Sequence, residues 1–196
     1  ALGTTSAFAT NGDNLIATGA KARAMGGVGI ATSFGAESSI ANPALLNSVK
    51  NSEFSGSITA FMPDVAVSSS NALSGRPQPG VATDSDADFS LIPEFAYATR
   101  VNNNLVYGIS VTGTAGMGMD SDKTTAATAN VNRMTTELAL AKVSVPVSYQ
   151  MGELSLGVSP VLQYGTLHIS HVYGAGSFLD NGKQSDTGVG YELGLA

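Results

Sequence analysis

The chain has 196 residues, no cysteine, no tryptophan, a net charge of −6 and only 12% charged residues, about half the usual share of a soluble domain. A disulfide scaffold and thiolate metal sites are excluded, and the nine Lys and Arg are too scattered to form a nucleic-acid-binding patch. Sparse charge beside an ordinary 43% hydrophobic content means that part of the surface does not face water.

No stretch approaches the roughly 18 uninterrupted apolar residues of a transmembrane helix. Two classes remain. One is a transmembrane β-barrel, whose alternating strands hide their hydrophobicity from a window average. The other is a Ser/Gly/Thr-rich secreted β-protein. The chain starts at Ala1 with no basic or apolar leader, as expected of an exported protein whose signal peptide has been removed.

Residues 1–50 form one region. Gly19-Ala20-Lys21-Ala22-Arg23-Ala24-Met25 favours a short helix, and Gly26-Gly27 stops it. A second short helix is predicted over Ala36 to Ile40. Asn42 is held extended by Pro43, and Pro43-Ala44-Leu45-Leu46-Asn47 starts another helical turn with proline at its first position. Pieces this short need a larger partner to pack against.

Residues 51–196 form the second region, where the period changes to two. Phe54, Ile58 and Met62 share one face of a first run. Phe89, Leu91, Pro93, Phe95 and Tyr97 share a face of the second, opposite Ser90 and Glu94. Leu105, Tyr107, Ile109 and Val111 mark the third. Ala139, Ala141, Val143, Val145, Val147 and Tyr149 mark the fourth, opposite Lys142, Ser144 and Ser148. Leu154, Leu156, Val158, Leu162 and Tyr164 mark the fifth. Val189, Tyr191, Leu193 and Leu195 mark the sixth, opposite Glu192. Six such runs are six predicted strands. In a barrel their small, polar face lines the lumen and their apolar face meets lipid, with Tyr97, Tyr149 and Tyr164 placed for an interfacial girdle. Glu94, Lys142 and Glu192 are then set for an internal ion network. Connections alternate short (Val101–Asn104, Gln150–Glu153) and long (Pro63–Asp88, Ala115–Arg133, His168–Thr187), the rhythm of periplasmic turns and extracellular loops. The N-terminal region therefore belongs in the periplasm or inside the barrel.

Other motifs lead nowhere sharper. Gly27-Val28-Gly29 follows no strand, and Thr32 stands where a dinucleotide loop needs its third glycine. His168 and His171 find no third metal ligand, and Asp84, Asp86 and Asp88 read as a solvated acidic loop rather than a calcium site. No Gly-x-Ser-x-Gly elbow appears. No catalytic residue, metal or cofactor is expected.

The segment Thr18 to Ala31, followed by Asn42-Pro43-Ala44-Leu45-Leu46, resembles the N-terminus of the FadL/TodX family of outer-membrane transporters for long-chain fatty acids and hydrocarbons. The detailed match covers residues 12–46, and strand pattern carries it beyond. The resemblance implies an all-β fold: a transmembrane antiparallel barrel of which about six strands are present, with a short helical N-terminal hatch in residues 1–50. It implies a channel, not an enzyme, for passive uptake of apolar molecules. Asn42, Pro43 and Ala44, with Arg23 and Met25, would form the hatch or substrate gate. Gly108 and Gly113 in the third strand are the candidates for an inward kink that opens a lateral exit. Partners would be a hydrophobic small molecule and membrane lipid or lipopolysaccharide. The family chain is about twice as long, so a fragment of a larger barrel is expected. The alternative is a structural or adhesive cell-surface β-protein, such as a fragment that self-associates through its open strand edges.

Overall fold

The computed structural model describes residues 15–68, 82–121, 134–173 and 177–196. Residues 12–14 of the glycine-rich segment and the centres of the three expected long connections lie outside the described residues.

The N-terminal region forms helix α1 (Ala20–Ala24) and two 3-10 helices, Ala36–Ile40 and Pro43–Ser48. Gly26 and Gly27, at φ 72° and 93°, end α1 in a backbone region that side chains disfavour. The strands are β1 (Ser52–Phe61), β2 (Ala66–Ser68), β3 (Ala82–Asp84), β4 (Ser90–Arg100), β5 (Leu105–Asp120), β6 (Met134–Ser144), β7 (Val147–Met151), β8 (Leu154–Tyr173) and β9 (Ser177–Leu195). β2 and β3 pair as a separate hairpin. The rest make one antiparallel meander in which β1, β4, β5, β6 with β7, β8 and β9 lie side by side.

The fourth run, expected as one strand, is interrupted at Val145-Pro146. The register nevertheless continues across the break, from Ser144↔Val161 to Val147↔Val158. The interruption is chemical. Gly108 N–H donates to Pro146 O (2.8 Å) and Val145 N–H donates to Pro160 O (3.1 Å), but neither proline has an N–H to return.

A second departure concerns length. The stretch His168–Thr187, expected as a long loop, is mostly strand: β8 has 20 residues and β9 has 19, paired out to Tyr173↔Ser177. β5 likewise runs on to Asp120. Crossing a bilayer takes about 9–11 strand residues. Beyond the bilayer both faces meet water, so the backbone ladder continues without the apolar alternation that betrays a strand in sequence.

The faces are inverted relative to a soluble sheet. Glu94, Ala96, Ala98, Val106, Ser110, Thr112, Ser144, Ser148 and Ser159 are buried, while Phe95, Tyr97, Tyr107, Ile109, Val111, Val145, Tyr149, Leu156, Val158 and Leu162 are exposed. The buried face is small because the N-terminal segment lies on it: Ala36, Ile40, Leu46 and Val49 cluster with Ala96, Ala98 and Val106. The exposed face is an apolar band suited to lipid. Along β8 it extends from Leu154 to Tyr164, ten steps of about 3.3 Å that rise about 25 Å at a tilt near 40°. Above it, Glu137, His168 and Lys183 form one cross-strand row, with Lys183 3.2 Å from Glu137 and His168 2.9 Å from Asp180. Charge reappears on the outer face where the band ends.

Candidate functional site

The N-terminal segment is bound to the wall at separate points of different chemistry. The first is ionic. Glu94, on the inner face of β4, is 2% exposed and takes both ends of the Arg23 guanidinium from α1, with Arg23 Nη1 2.9 Å from Glu94 Oε1. The same carboxylate accepts from Gly19 N–H (3.1 Å) and from the Ser57 hydroxyl of β1 (2.8 Å). Arg23 also donates to Ala17 O at 2.8 Å. Burial of this charge is offset by a bidentate cation and two further donors.

The second point is neutral. Asn42 caps the second 3-10 helix, its Oδ1 accepting from Ala44 N–H at 3.0 Å. Its Nδ2 donates to Ile30 O (2.9 Å) and to Leu195 O of β9 (3.1 Å). One side chain thus joins the turn, the glycine-rich segment and the wall. Ser148 of β7 donates to Ala44 O (2.9 Å) and accepts from Asn47 Nδ2 (2.7 Å). Arg100 completes the attachment where the segment leaves for β1, donating to Val49 O (2.9 Å) and to Asn47 O.

The wall itself has a gap. The β4–β5 ladder runs from Arg100↔Val106 to Glu94↔Thr112 and stops. β4 continues to Ser90 against β1, and β5 continues to Asp120 against β6. Two features part the strands. Pro93 has no N–H with which to extend the ladder. The β5–β6 register shifts between Gly113 and Ala115, and such a bulge bends its strand. Gly113 faces the Ile92 side chain so closely that an added Cβ would lie 2.5 Å from Ile92 Cγ2. The far end is closed by the segment between β3 and β4, where Asp86 N–H donates to Asp120 O of β5 (2.7 Å) and Asp120 N–H donates to Ser85 Oγ (2.9 Å). Between these limits is a cavity of about 440 Å³, lined mainly by Leu91, Ile92, Pro93, Gly113, Leu138 and Leu140. That volume is in the range of small-molecule pockets.

The expected site residues therefore fall in separate places. Asn42, Pro43 and Ala44 are buried over β7, β8 and β9. Arg23 is at Glu94, the residue that follows Pro93 in β4. Met25 ends α1 and is exposed, as are Val28 and Ile30. Gly113 is at the gap, whereas Gly108 lies in regular ladder, where its missing side chain admits Tyr97 O. The expected three-residue ion network is instead two separate pairs, because Lys142 pairs with Glu192 (2.7 Å) while Glu94 is taken by Arg23. Pro93 and Ser148 escaped sequence reasoning. Their signals were a proline inside an alternating run and a serine on its small face. Among the described residues no three His, Asp or Glu side chains gather to hold a metal.

Over residues 2–196 the sequence matches the family described as outer membrane protein transport protein, OMPP1/FadL/TodX. An uncharacterized protein in the phosphoenolpyruvate carboxykinase gene 5′ region of Chlorobium limicola is 35% identical over 106 residues, 53% of this chain and 48% of that one. The crystal structure of a Pseudomonas aeruginosa FadL homologue superimposes with a TM-score of 0.53 at 14% identity, over 91% of this chain and 46% of that one, which is a likeness of fold. The CymD monoaromatic hydrocarbon channel aligns with a TM-score of 0.34 at 16% identity, over 93% and 65% of the two chains. The chain spans about half the length of the Chlorobium relative and of the Pseudomonas structure.

Proposed function

The chain belongs to the OMPP1/FadL/TodX family of outer membrane transport proteins, and from that premise we propose that it builds one wall and the hatch of a channel for passive uptake of hydrophobic small molecules, fatty acids or aromatic hydrocarbons. The observation that carries the reading is the apolar-lined gap between β4 and β5. A molecule in the lumen reaches lipid there without crossing the polar outer surface. Arg23 holds the hatch at Glu94 beside that exit, Asn42, Pro43 and Ala44 hold it over β7, β8 and β9, and Met25 presents an apolar surface to the lumen. Gly113 is the kink residue, since its lack of a side chain keeps the gap open at Ile92. The apolar outer band takes membrane lipid, and the charged row of Glu137, His168 and Lys183 takes the headgroup region of lipid or lipopolysaccharide. An adhesive surface protein would have no use for a plugged lumen with a side opening.

The test is uptake by the full-length protein in outer membranes of a strain lacking its own channels of this kind. Labelled oleate and toluene are the probes. Faster entry of at least one, with entry of a small hydrophilic sugar unchanged, supports the reading. Entry of both probes at the rate of the empty strain refutes it.

A further inference from the structure

The Asn42-Pro43-Ala44 turn lies on a floor whose shape is set by three residues of the wall. Ser148 is paired with Gly157, and Gly157 with Gly194. They form one cross-strand row over β7, β8 and β9, on the buried face. An added Cβ on Gly157 would lie 2.8 Å from Ala44 Cα and closer still to Ala44 N and Pro43 C. One on Gly194 would lie 2.8 Å from Ala44 N and 2.9 Å from Pro43 Cδ, and would collide with Asn42 Oδ1. The obstacles are mostly backbone or ring atoms, which cannot swing aside as a flexible side chain does. Other glycines on the same face of β9 differ, because a Cβ on Gly188 or Gly190 meets nothing within 4 Å. The remaining member of the row, Ser148, supplies the hydroxyl that joins Ala44 O to Asn47. Leu195, next to Gly194, supplies the carbonyl that receives Asn42.

We propose that Ser148, Gly157 and Gly194 form a dedicated seat that positions the hatch of this channel, so that wall residues far from the gap decide whether the plug is in place. The inference rests on the hatch reading of residues 1–50 but not on the identity of the cargo. Two absent side chains create the flat floor, and one hydroxyl fixes the turn upon it. These are positioning residues; they need not touch the transported molecule.

The test uses the full-length protein with Gly157→Val, and with Gly188→Val as a control of equal bulk on the same face. Hydrogen–deuterium exchange of the peptide covering residues 36–49 reads the seat without any transport. Heat-modifiable gel migration reads barrel closure, and permeation of a small hydrophilic sugar reads the plug. Gly157→Val is expected to keep heat-modifiable migration, speed exchange of that peptide at least tenfold and raise sugar permeation. Gly188→Val is expected to change none of these. Unchanged exchange in Gly157→Val, or an equal rise in Gly188→Val, overturns the proposal. If Gly157→Val fails to form a barrel, Ser148→Ala decides instead: it adds no bulk, and a several-fold rise in exchange is expected, whereas native exchange overturns the seat. A channel that transports neither oleate nor toluene leaves the exchange result standing, so the two readings fail separately.

Discussion

Replacing Arg23 with Ala should loosen the N-terminal segment far more than neutralising its partner by Glu94→Gln, although both changes delete the same ion pair. Glu94 is 2% exposed, whereas the Arg23 side chain is 19% exposed. Arg23→Ala strands a buried carboxylate. Removing one partner of a buried pair costs about 3–5 kcal/mol. Gly19 N–H and Ser57 still donate to Glu94, so the low end, about 3 kcal/mol, applies. Glu94→Gln strands a cation instead, and a long arginine side chain turns its head toward lumenal water. The glutamine carbonyl still accepts from Gly19, leaving a loss of about 1–2 kcal/mol. At about 1.4 kcal/mol per tenfold, local opening of the segment rises about 100-fold in Arg23→Ala and about 10-fold in Glu94→Gln. The double variant strands no charge and should resemble Glu94→Gln, because residues in one network are not additive. Hydrogen–deuterium exchange of a peptide spanning residues 15–30 measures all three, since exchange reads local opening directly. Exchange in Arg23→Ala no faster than in Glu94→Gln, or faster still in the double variant, would refute the account of Glu94 as a buried charge that needs its cation.

Three further outcomes follow from the same geometry. Gly113→Val drives a side chain into Ile92 at the gap and should slow probe uptake several-fold while heat-modifiable migration persists; unaltered uptake would remove Gly113 from the exit. Asn42→Ala loses a cap and two carbonyl contacts, about 2–3 kcal/mol of local stability of the turn. Asn42→Asp should be no better, because it puts a second acceptor against Ile30 O and Leu195 O; exchange of residues 36–49 distinguishes them. Val158→Arg, outward on β8 within the apolar band, should cost about 2–4 kcal/mol of folding into lipid vesicles, and Thr187→Arg near the upper edge only about 0–1. Equal costs would contradict the placement of the band.

Much of the wall was legible in the chain because alternation is local. A residue and its second neighbour share a face whatever the rest of the fold does, so Phe95, Tyr97, Ile109 and Val158 could be assigned to the outside from spacing alone. The short helices were legible for a similar reason, from Gly26-Gly27 and from Asn42-Pro43. Strand ends were not. Above the bilayer β8 and β9 keep pairing while water on both faces erases the pattern, so His168–Thr187 read as loop. Pro146 and Pro160 each looked unremarkable, and only their register shows that they remove return bonds on the two sides of one strand.

The sequence by itself determined a lipid-facing antiparallel sheet, through period and sparse charge, and the short helical turns around Asn42-Pro43-Ala44 that precede it. Only the tertiary structure decided where that sheet opens and what the N-terminal segment rests upon. Pro93 and Gly113 meet at the gap from two strands, and Gly157 and Gly194 meet Ala44 across more than a hundred residues of chain. In each case the decisive quantity is a missing atom, an N–H or a Cβ, and its effect exists only once another strand or the N-terminal segment arrives at the place it left empty.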